Sequence, residues 1–331
     1  MPTTVGGLTF YEDQVETGRY LGLTQYIDAF NDSSAGAIQL IDGARKGYRP
    51  VSTFVDDVSL VQRRDPTSTG NLTPTTFSNT EWKAVKVFHA VKHIFRRQDY
   101  IDQGLNTEAG SLWIGEQLGY KTGQTYLNSA LAALVGAING IGSTAVLDVT
   151  ATSTLTFQQI NAGLGKMGDM RQSIRALAMP SSAMTGMIDN GLTTQAVAFQ
   201  IGQTIVYNGL SPAMGLKTVV TDAPALIVAA SASPVLPERY YSLALVPGAI
   251  KVKLGPASTP SLHFVTGTAS ASPTNEQFLF STESEIEIEV KGVSYTAVAN
   301  FPNDSDLATS GNWTLVAANR KLGPGVAIYT K

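Results

Sequence analysis

The sequence contains no cysteine and only 3 histidines among its 331 residues. The absence of cysteine excludes disulfide bonds, thiolate metal sites and cysteine nucleophiles, and it leaves the redox compartment undetermined. Any histidine chemistry is confined to His89, His93 and His263. These shortages remove several common classes of active site.

Charged residues are scarce as well. They make up 15% of the chain, whereas an average soluble domain has about 25%. A monomer of this size normally needs more charge to cover its surface, so the shortage indicates surface buried against partners, although a secreted β-rich protein could share this composition. The net charge is −3 and no polybasic tail is present, so sequence-specific nucleic-acid readout is not supported.

The chain also lacks long apolar runs. Residues Met1–Gly7 show no basic segment followed by an apolar one, so no secretory signal is predicted. The most apolar stretches, Ala130–Gly142 and Ala223–Val235, are too short or too interrupted to span a bilayer. We therefore expect a soluble product made in the cytoplasm, with no membrane partner and enough residues for two or three packed substructures.

Helical periodicity marks several segments. Tyr11 to Asn31 predicts a helix with one apolar face, formed by Tyr20, Leu23, Ile27 and Phe30. Leu112 to Asn139 predicts the longest helix, which Gly140 and Gly142 should end; its apolar stripe is Leu127, Leu131, Leu134, Val135 and Ile138. Thr156 and Gln159 fit a capping box before a third helix. A fourth helix should run from Pro180 to Asn190-Gly191.

Strand patterns are present near both ends of the chain. Val51–Val55 and Val58–Val61 predict strands, and the polar run from Asp65 to Thr80 predicts a long loop projecting from the body. Further strands are predicted in the middle and last third of the chain: Ile174–Met179, Lys217–Thr221, Tyr240–Leu245, Ala249–Leu254, Ser294–Ala299, and a final strand after Gly323-Pro324-Gly325.

The segment Glu285–Lys291 alternates strictly between charged and apolar residues. This pattern predicts a strand whose Ile286, Ile288 and Val290 face a core while the charges face water. Helices and strands do not alternate regularly along the chain, so the predicted class is α+β.

No catalytic constellation is visible. The string Gly115–Thr122 has the wrong spacing for a phosphate loop, and Gly140–Ala145 follows a predicted helix instead of opening one. Adjacent Asp56 and Asp57 would point to opposite faces of a strand. No serine lies in a nucleophile elbow. We therefore predict no enzyme, and no catalytic, cofactor-binding or metal-binding residue.

The stretch Lys83–Arg97 is basic and contains two of the histidines. His89 and His93 could share one helical face, as in zinc proteases, but Ala90 stands where the general-base glutamate would be. We interpret the stretch as a solvated or subunit-facing basic surface. Two roles stay open for it: weak contact with nucleic acid, or ion pairing between subunits with an acidic strand such as Glu283–Glu289.

Several strings together resemble the major capsid proteins of tailed double-stranded DNA phages with the Hong-Kong-97-like fold. Thr154–Leu192 resembles the family's helix ending in Gly-Asp, its strand and its second helix, with Met179-Pro180-Ser181 where many relatives have Met-His-Ser. The later strings that resemble the family, in the same order, are Gly215–Asp222, Leu243–Ile250, Lys291–Tyr295 and Asn300–Trp313.

The resemblance implies an order of parts along the chain. The expected parts are an N-terminal arm and helix (1–46), an extended loop (47–100), a peripheral domain with a β layer and a long spine helix (101–150), an axial α+β domain (151–255) and C-terminal strands returning to the sheet layers (256–331). No matched motif assigns the covalent lysine–asparagine crosslink that some family members form.

The resemblance also implies a function. The chain would self-assemble into hexamers and pentamers of an icosahedral virion shell, built in the host bacterial cytoplasm. Its partners would be identical copies, scaffolding, portal and cement or decoration proteins, and packaged double-stranded DNA touched non-specifically at the inner surface. The alternatives are an encapsulin-like nanocompartment shell, a tail-tube or decoration protein of the virion, and a secreted β-rich hydrolase or adhesin.

Overall fold

The computed structural model describes most of the chain. The described residues are 3–5, 8–45, 51–55, 66–67, 79–96, 101–102, 104–105, 107–150, 154–193, 210–211, 216–232, 235–236, 238–258, 261–265, 277–297, 301–317 and 319–331. Helices and strands are mixed along these segments, so the predicted α+β class is confirmed.

The helices differ greatly in length. They are α1 (Glu12–Ser33), α2 (Glu108–Ile141), α3 (Phe157–Gly165), α4 (Ser181–Thr193) and α5 (Asp304–Ala308). The strands are β1 (Thr3–Val5), β2 (Leu8–Phe10), β3 (Ile38–Asp42), β4 (Val51–Val55), β5 (Asn79–Lys83), β6 (Val85–Arg96), β7 (Val146–Asp148), β8 (Ala176–Met179), β9 (Leu210–Ser211), β10 (Leu216–Val220), β11 (Ile227–Val228), β12 (Ser231–Ala232), β13 (Val235–Leu236), β14 (Arg239–Leu245), β15 (Ile250–Ala257), β16 (Ser261–Val265), β17 (Gln277–Val290), β18 (Val293–Tyr295), β19 (Trp313–Leu315) and β20 (Gly325–Thr330).

Two larger sheets organise the strands. The first has the order β7-β20-β14-β8-β10-β9, with β11 beside β14. The second is centred on the long strand β17, which pairs with β15 and β16 along one edge and with β6 along the other, while β3 extends it beside β15. The strands β4 and β5 form an antiparallel pair that precedes β6 in the chain.

Helix α2 contacts both sheets and forms the centre of the core. The predicted stripe of Leu127, Leu131, Leu134, Val135 and Ile138 is buried, as expected. Thr107 caps the helix by accepting a hydrogen bond from the Gly110 amide. Gly142 follows the last turn with a φ of 92°, a value that favours glycine. Among the described residues, no helix is both long and apolar enough to cross a bilayer.

Most predicted elements are confirmed with small shifts of their ends. The capping box of Thr156 and Gln159 is present in full, and the strands on both sides of Pro247-Gly248 form as predicted. Gly140, however, lies inside α2 and does not end it. A Cβ at this position would lie 2.9 Å from the Trp313 carbonyl oxygen, so its role is close packing.

Other predictions need correction. Tyr20 is 65% exposed, because α1 turns Val15, Gly18 and Gly22 toward α2 instead. The strand predicted at Ser294–Ala299 is β18, which begins at Val293 and ends at Tyr295, because its pairing with β19 ends where Tyr295 meets Trp313. Three of the predicted features lie outside the described residues: the Asp56-Asp57 pair, the strand Val58–Val61 and most of the projecting loop from 65 to 80.

Glycines bring α1 and α2 into close contact. A Cβ on Gly115 would lie 2.2 Å from the Val15 carbonyl oxygen, and one on Gly119 would lie 2.3 Å from the Arg19 carbonyl oxygen. Gly18 and Gly22 show the same closeness from the α1 side. The string that faintly resembles a phosphate loop is therefore a helix-packing surface, because each of these positions accepts a backbone where a side chain would clash.

Candidate functional site

A ladder of carboxylates is buried on the face of β17 that points away from α2. Glu287 is fully buried and Glu289 is nearly so, which overturns the prediction that the charges of this strand face water. Lys253 of β15 lies 3.0 Å from Glu287 and 2.7 Å from Glu289. On the other neighbouring strand, β6, the buried Lys86 lies 2.8 Å from Glu285.

Arg45 completes this ladder from outside the sheet. Its backbone N–H donates to Glu287 Oε2 at 2.6 Å, and its Nε donates to Oε1 at 2.8 Å. Its Nη2 donates to Glu289 at 3.1 Å. With Lys86 and Lys253, Arg45 gives three cations against three carboxylates. This balance makes burial of the ladder tolerable, since a buried charge without a partner is strongly destabilising.

The pKa of Glu287 reflects this environment. Burial by itself raises the pKa of the carboxyl, but hydrogen bonds from Arg45 and Lys253 outweigh burial and hold the pKa below its ordinary value. Glu287 therefore stays ionised at neutral pH and holds both cations.

The ladder lies at the base of the β4–β5 pair. Arg45 lies six residues before β4, and Lys86 lies in β6, three residues after the end of β5. The Lys83 amide donates to Ser294 Oγ at 3.1 Å and fixes the end of β5 to β18. The end of β5 is thus fixed to the body, and Arg45, six residues before β4, is held by Glu287 and Glu289.

The three histidines do not form a metal site. His89 and His93 lie on the strand β6, not on a helix, and residues four apart on a strand are separated by roughly 13 Å. His263 is exposed on β16, with its Nε2 3.0 Å from Ser261 Oγ. The described residues contain no group of three side chains able to hold a metal ion.

A polar cluster that sequence reasoning missed connects β6, α2 and α5. Buried Ser129 of α2 donates to Asp304 Oδ1 at 2.6 Å, and Asn128 donates to Oδ2 at 2.7 Å. His89 Nε2 lies 3.5 Å from Ser129 Oγ. Because the single hydroxyl proton is donated to Asp304, the His89 ring must donate to the hydroxyl and is not a base for it. The cluster fastens α5 to α2 and has no nucleophile geometry.

Burial and a nearby charge shift the pKa of His89 in opposite directions. Burial lowers the pKa of the imidazole, and the nearby carboxylate of Asp304 opposes that shift without cancelling it. The other ring nitrogen, Nδ1, is buried with no hydrogen-bond partner among the described residues. No local sequence motif marks this cluster, because its members come from segments far apart in the chain.

The basic stretch separates into two parts on β6. Lys86 forms an ion pair with Glu285 of the same chain. The possible ion pairing between subunits is therefore wrong for Lys86. Lys92 and Arg96 are exposed on the outer half of the strand. Beside this half lies a cavity of about 650 Å³ between β6 and α2, whose lining includes Phe88, Val91, Ile114, Leu118, Tyr126 and Phe280.

Large apolar side chains are exposed elsewhere on the surface. Trp113 and Tyr120 lie two turns apart on α2 and are about half exposed. Phe301 is 64% exposed and contacts Phe88 edge to face, with the ring centroids 5.5 Å apart. Exposed apolar groups of this size mark interaction surfaces when they cluster.

Comparisons with known proteins identify a family from the sequence and a similar fold among solved structures. The family model described as Gp13-like, major capsid protein 13-like, matches residues 7–327. A solved structure described as Cyanophage Pam1 capsid asymmetric unit has a TM-score of 0.50 at 10% identity, covering 88% of this chain and 88% of that chain. One from Mycobacterium phage Ogopogo has a TM-score of 0.49 at 13% identity, covering 88% and 89%. No curated protein matches the sequence.

Proposed function

The chain belongs to the Gp13-like family of major capsid proteins, and from this premise we propose how it builds a shell. It is a major capsid protein of tailed phages, a structural component of the virion. We propose that copies assemble into the hexamers and pentamers of an icosahedral shell, which encloses a double-stranded DNA genome and forms in the host bacterial cytoplasm.

The exposed apolar surface carries this proposal. Charged residues make up 15% of the chain, and Trp113, Ile94 and Phe301 are each more than half exposed. Side chains of this kind are enriched at the centre of protein interfaces and are costly to leave in water. A subunit surrounded by neighbours covers such groups on several sides at once.

We propose that the subunit is divided as in the Hong-Kong-97-like fold. The second sheet with α2 would be the peripheral layer, the first sheet with α3 and α4 the axial domain, and the β4–β5 pair the root of the extended loop. The boundaries expected from the sequence are 1–46, 47–100, 101–150, 151–255 and 256–331; the sheets depart from them in three places, because β7 belongs to the first sheet and β6 and β15 belong to the second. The ladder at Glu287 supports this division, because it anchors the loop root to the peripheral sheet.

Partners beyond identical copies are expected from the same premise. Scaffolding, portal and cement or decoration proteins would bind the shell at defined stages. Contact with DNA would be non-specific and sensitive to salt, since the chain has a net charge of −3 and no basic tail.

Expression of the chain alone tests the proposal. Size-exclusion chromatography and negative-stain microscopy should show capsomers or closed polyhedral particles. Co-purified double-stranded DNA would support a phage shell, whereas a co-purified enzyme would indicate a nanocompartment. A stable monomer that turns over a substrate would contradict the proposal.

A further inference from the structure

The outer face of α1, on the side away from its contact with α2, is acidic and carries an exposed aromatic ring. The carboxylates of the helix are Glu12, Asp13, Glu16, Asp28 and Asp32, and its single cation is Arg19. Helical spacing places Asp13, Thr17, Tyr20, Thr24 and Asp28 together on this acidic face, and all of them are exposed. Tyr20 is the most exposed large apolar side chain among the described residues. An exposed ring bordered by carboxylates has the chemistry of an anchor for a protein partner.

Two cations contact α1 away from the centre of the acidic face. Arg19 donates to Thr282 Oγ1 and lies 3.8 Å from Glu16. Lys217 donates to the Asp32 carbonyl oxygen at the end of the helix. Neither cation lies on the side of the helix that carries the exposed ring. The negative charge of the acidic face is therefore accessible to a cationic partner.

A basic surface lies at the other end of α2. Its cations are Lys166, Arg171, Arg320 and Lys321, at the end of α3 and in the 3-10 turns Gly168–Ser173 and Arg320–Leu322. Lys166 Nζ donates to the Ser143 carbonyl oxygen at 2.8 Å, and Arg320 donates to the carbonyl oxygen of the next residue, Thr144. Lys321 Nζ binds the Asp169 carboxylate. These contacts bring the cations onto one surface just beyond the end of α2.

The basic surface also exposes apolar side chains. Met170 and Leu322 lie in the same two turns and are each more than a third exposed. Asp169 is the carboxylate within the surface, while Asp148 and Asp306 on neighbouring elements are hydrogen-bonded within their own turns. Apolar groups among the cations favour a protein partner over DNA, because a phosphate backbone supplies charge but no apolar contact.

Helix α2 separates the acidic face from the basic surface. Gly119 of α2 packs against Arg19, the residue before Tyr20. From there the helix continues to Ile141, a length of about 33 Å at about 1.5 Å per residue. The Tyr20 side chain therefore cannot reach the basic surface of its own copy. The acidic face at this level can meet a basic surface only on another copy.

We propose that the acidic face of α1 in one copy binds the basic surface of the next copy. The Tyr20 ring packs against Met170 and Leu322, and the surrounding carboxylates pair with the cations. This inference rests on the proposed function, because a contact between two different surfaces of identical chains repeats from copy to copy and closes into a ring where the rotation allows. The aromatic contact supplies affinity, and the opposite charges fix the register of the two copies.

Cross-linking of the wild-type chain tests the contact directly. A carbodiimide joins a carboxylate to a lysine amine without a spacer, and particles assembled from a mixture of ¹⁴N- and ¹⁵N-labelled chains separate links between copies from links within one. Peptides that join Glu16 or Asp28 to Lys166 or Lys321 should carry both labels in particles and be absent from unassembled chain. Particles without these mixed-label links would overturn the inference.

Substitutions on the two surfaces provide the second test. Tyr20→Ala and Arg171→Glu should each raise the concentration needed for particle formation about tenfold, with urea midpoints close to that of the wild type because both side chains are exposed. The matched controls Tyr20→Phe and Arg171→Lys keep the ring and the charge and should assemble normally. Wild-type assembly of both Tyr20→Ala and Arg171→Glu would overturn the inference.

Two further outcomes separate this inference from its alternatives. Loss of DNA binding by Arg171→Glu with unchanged assembly would assign the basic surface to DNA and contradict the contact between copies. Failure of the wild-type chain to assemble would contradict the proposed function itself, whereas particles that lack the mixed-label links would contradict only the contact between α1 and the basic surface.

Discussion

At the residue scale, burial of the carboxylates on β17 was beyond the reach of sequence patterns. Strict alternation correctly placed Ile286, Ile288 and Val290 in the core. The same rule assigned the glutamates to water, because it describes a sheet with one solvated face. One of the two cations that bind Glu287 is Arg45, 242 residues away in sequence, and no local pattern signals a partner at that distance.

The first prediction concerns this ladder. Glu287→Gln leaves Glu289 as the single carboxylate shared by the partly buried Arg45 and Lys253, and it should lower the free energy of unfolding by about 3 kcal/mol. The matched control is Glu283→Gln on the same strand, where the side chain is exposed and the expected change is within about 0.5 kcal/mol. Urea denaturation of the unassembled chains measures both. Equal midpoints for the two variants would contradict the role given to Glu287.

The second prediction concerns pH and His89. Its pKa is lowered in the folded chain, so the unfolded chain binds the proton more readily, and stability should fall as pH drops below about 6.5 until the folded pKa is reached. The groups around the ring are Asp304 of α5, Tyr126 of α2, and Lys121 and His93 at the cavity. His89→Gln removes the titration and should flatten the stability profile in this window.

The effect of His89 can be separated from that of Glu287 by pH. The pKa of Glu287 is lowered, so its contribution is present above its ordinary value near 4.5 and is lost as the pH falls from there through its folded pKa. Thermal melts of the wild type and His89→Gln should therefore differ in slope below about pH 6.5 and run parallel once the pH is below the folded pKa of His89. Equal slopes for the two chains just below about pH 6.5 would exclude the role given to His89.

At the element scale, helix caps and helical periodicity predicted structure correctly where the signal lies in residues close together in sequence. The capping box at Thr156 and the stripe of α2 needed only local information. The packing of α1 on α2 could not be predicted in this way. Helical periodicity identifies a buried face by its large apolar side chains, whereas the contact between α1 and α2 depends on glycines. For this reason the periodicity wrongly placed Tyr20 on the buried face.

The third prediction tests the glycine contact. Gly119→Ala places a Cβ 2.3 Å from the Arg19 carbonyl oxygen, and the forced separation of the helices should cost about 1–3 kcal/mol. Gly165→Ala at the end of α3 meets no atom within 4 Å and should be neutral or stabilise by up to about 1 kcal/mol. The thermal midpoint should fall for Gly119→Ala and stay unchanged or rise for Gly165→Ala. A Gly119→Ala chain as stable as the wild type would refute the close packing.

At the scale of the whole molecule, composition and the order of weak motifs were more informative than any single site. The low charge content anticipated a surface that needs neighbours, and the resemblance of several strings in order led to the family that the chain belongs to. The cavity between β6 and α2 was not foreseen. Its walls come from segments far apart in the sequence and meet only in the folded chain.

The mass of the particle in solution as a function of concentration tests the central claim most directly. Sedimentation of the purified chain should show species far above the 35.0 kDa of one copy, rising through capsomers to closed shells as concentration increases. A chain that sediments as a single copy at every concentration would contradict the account.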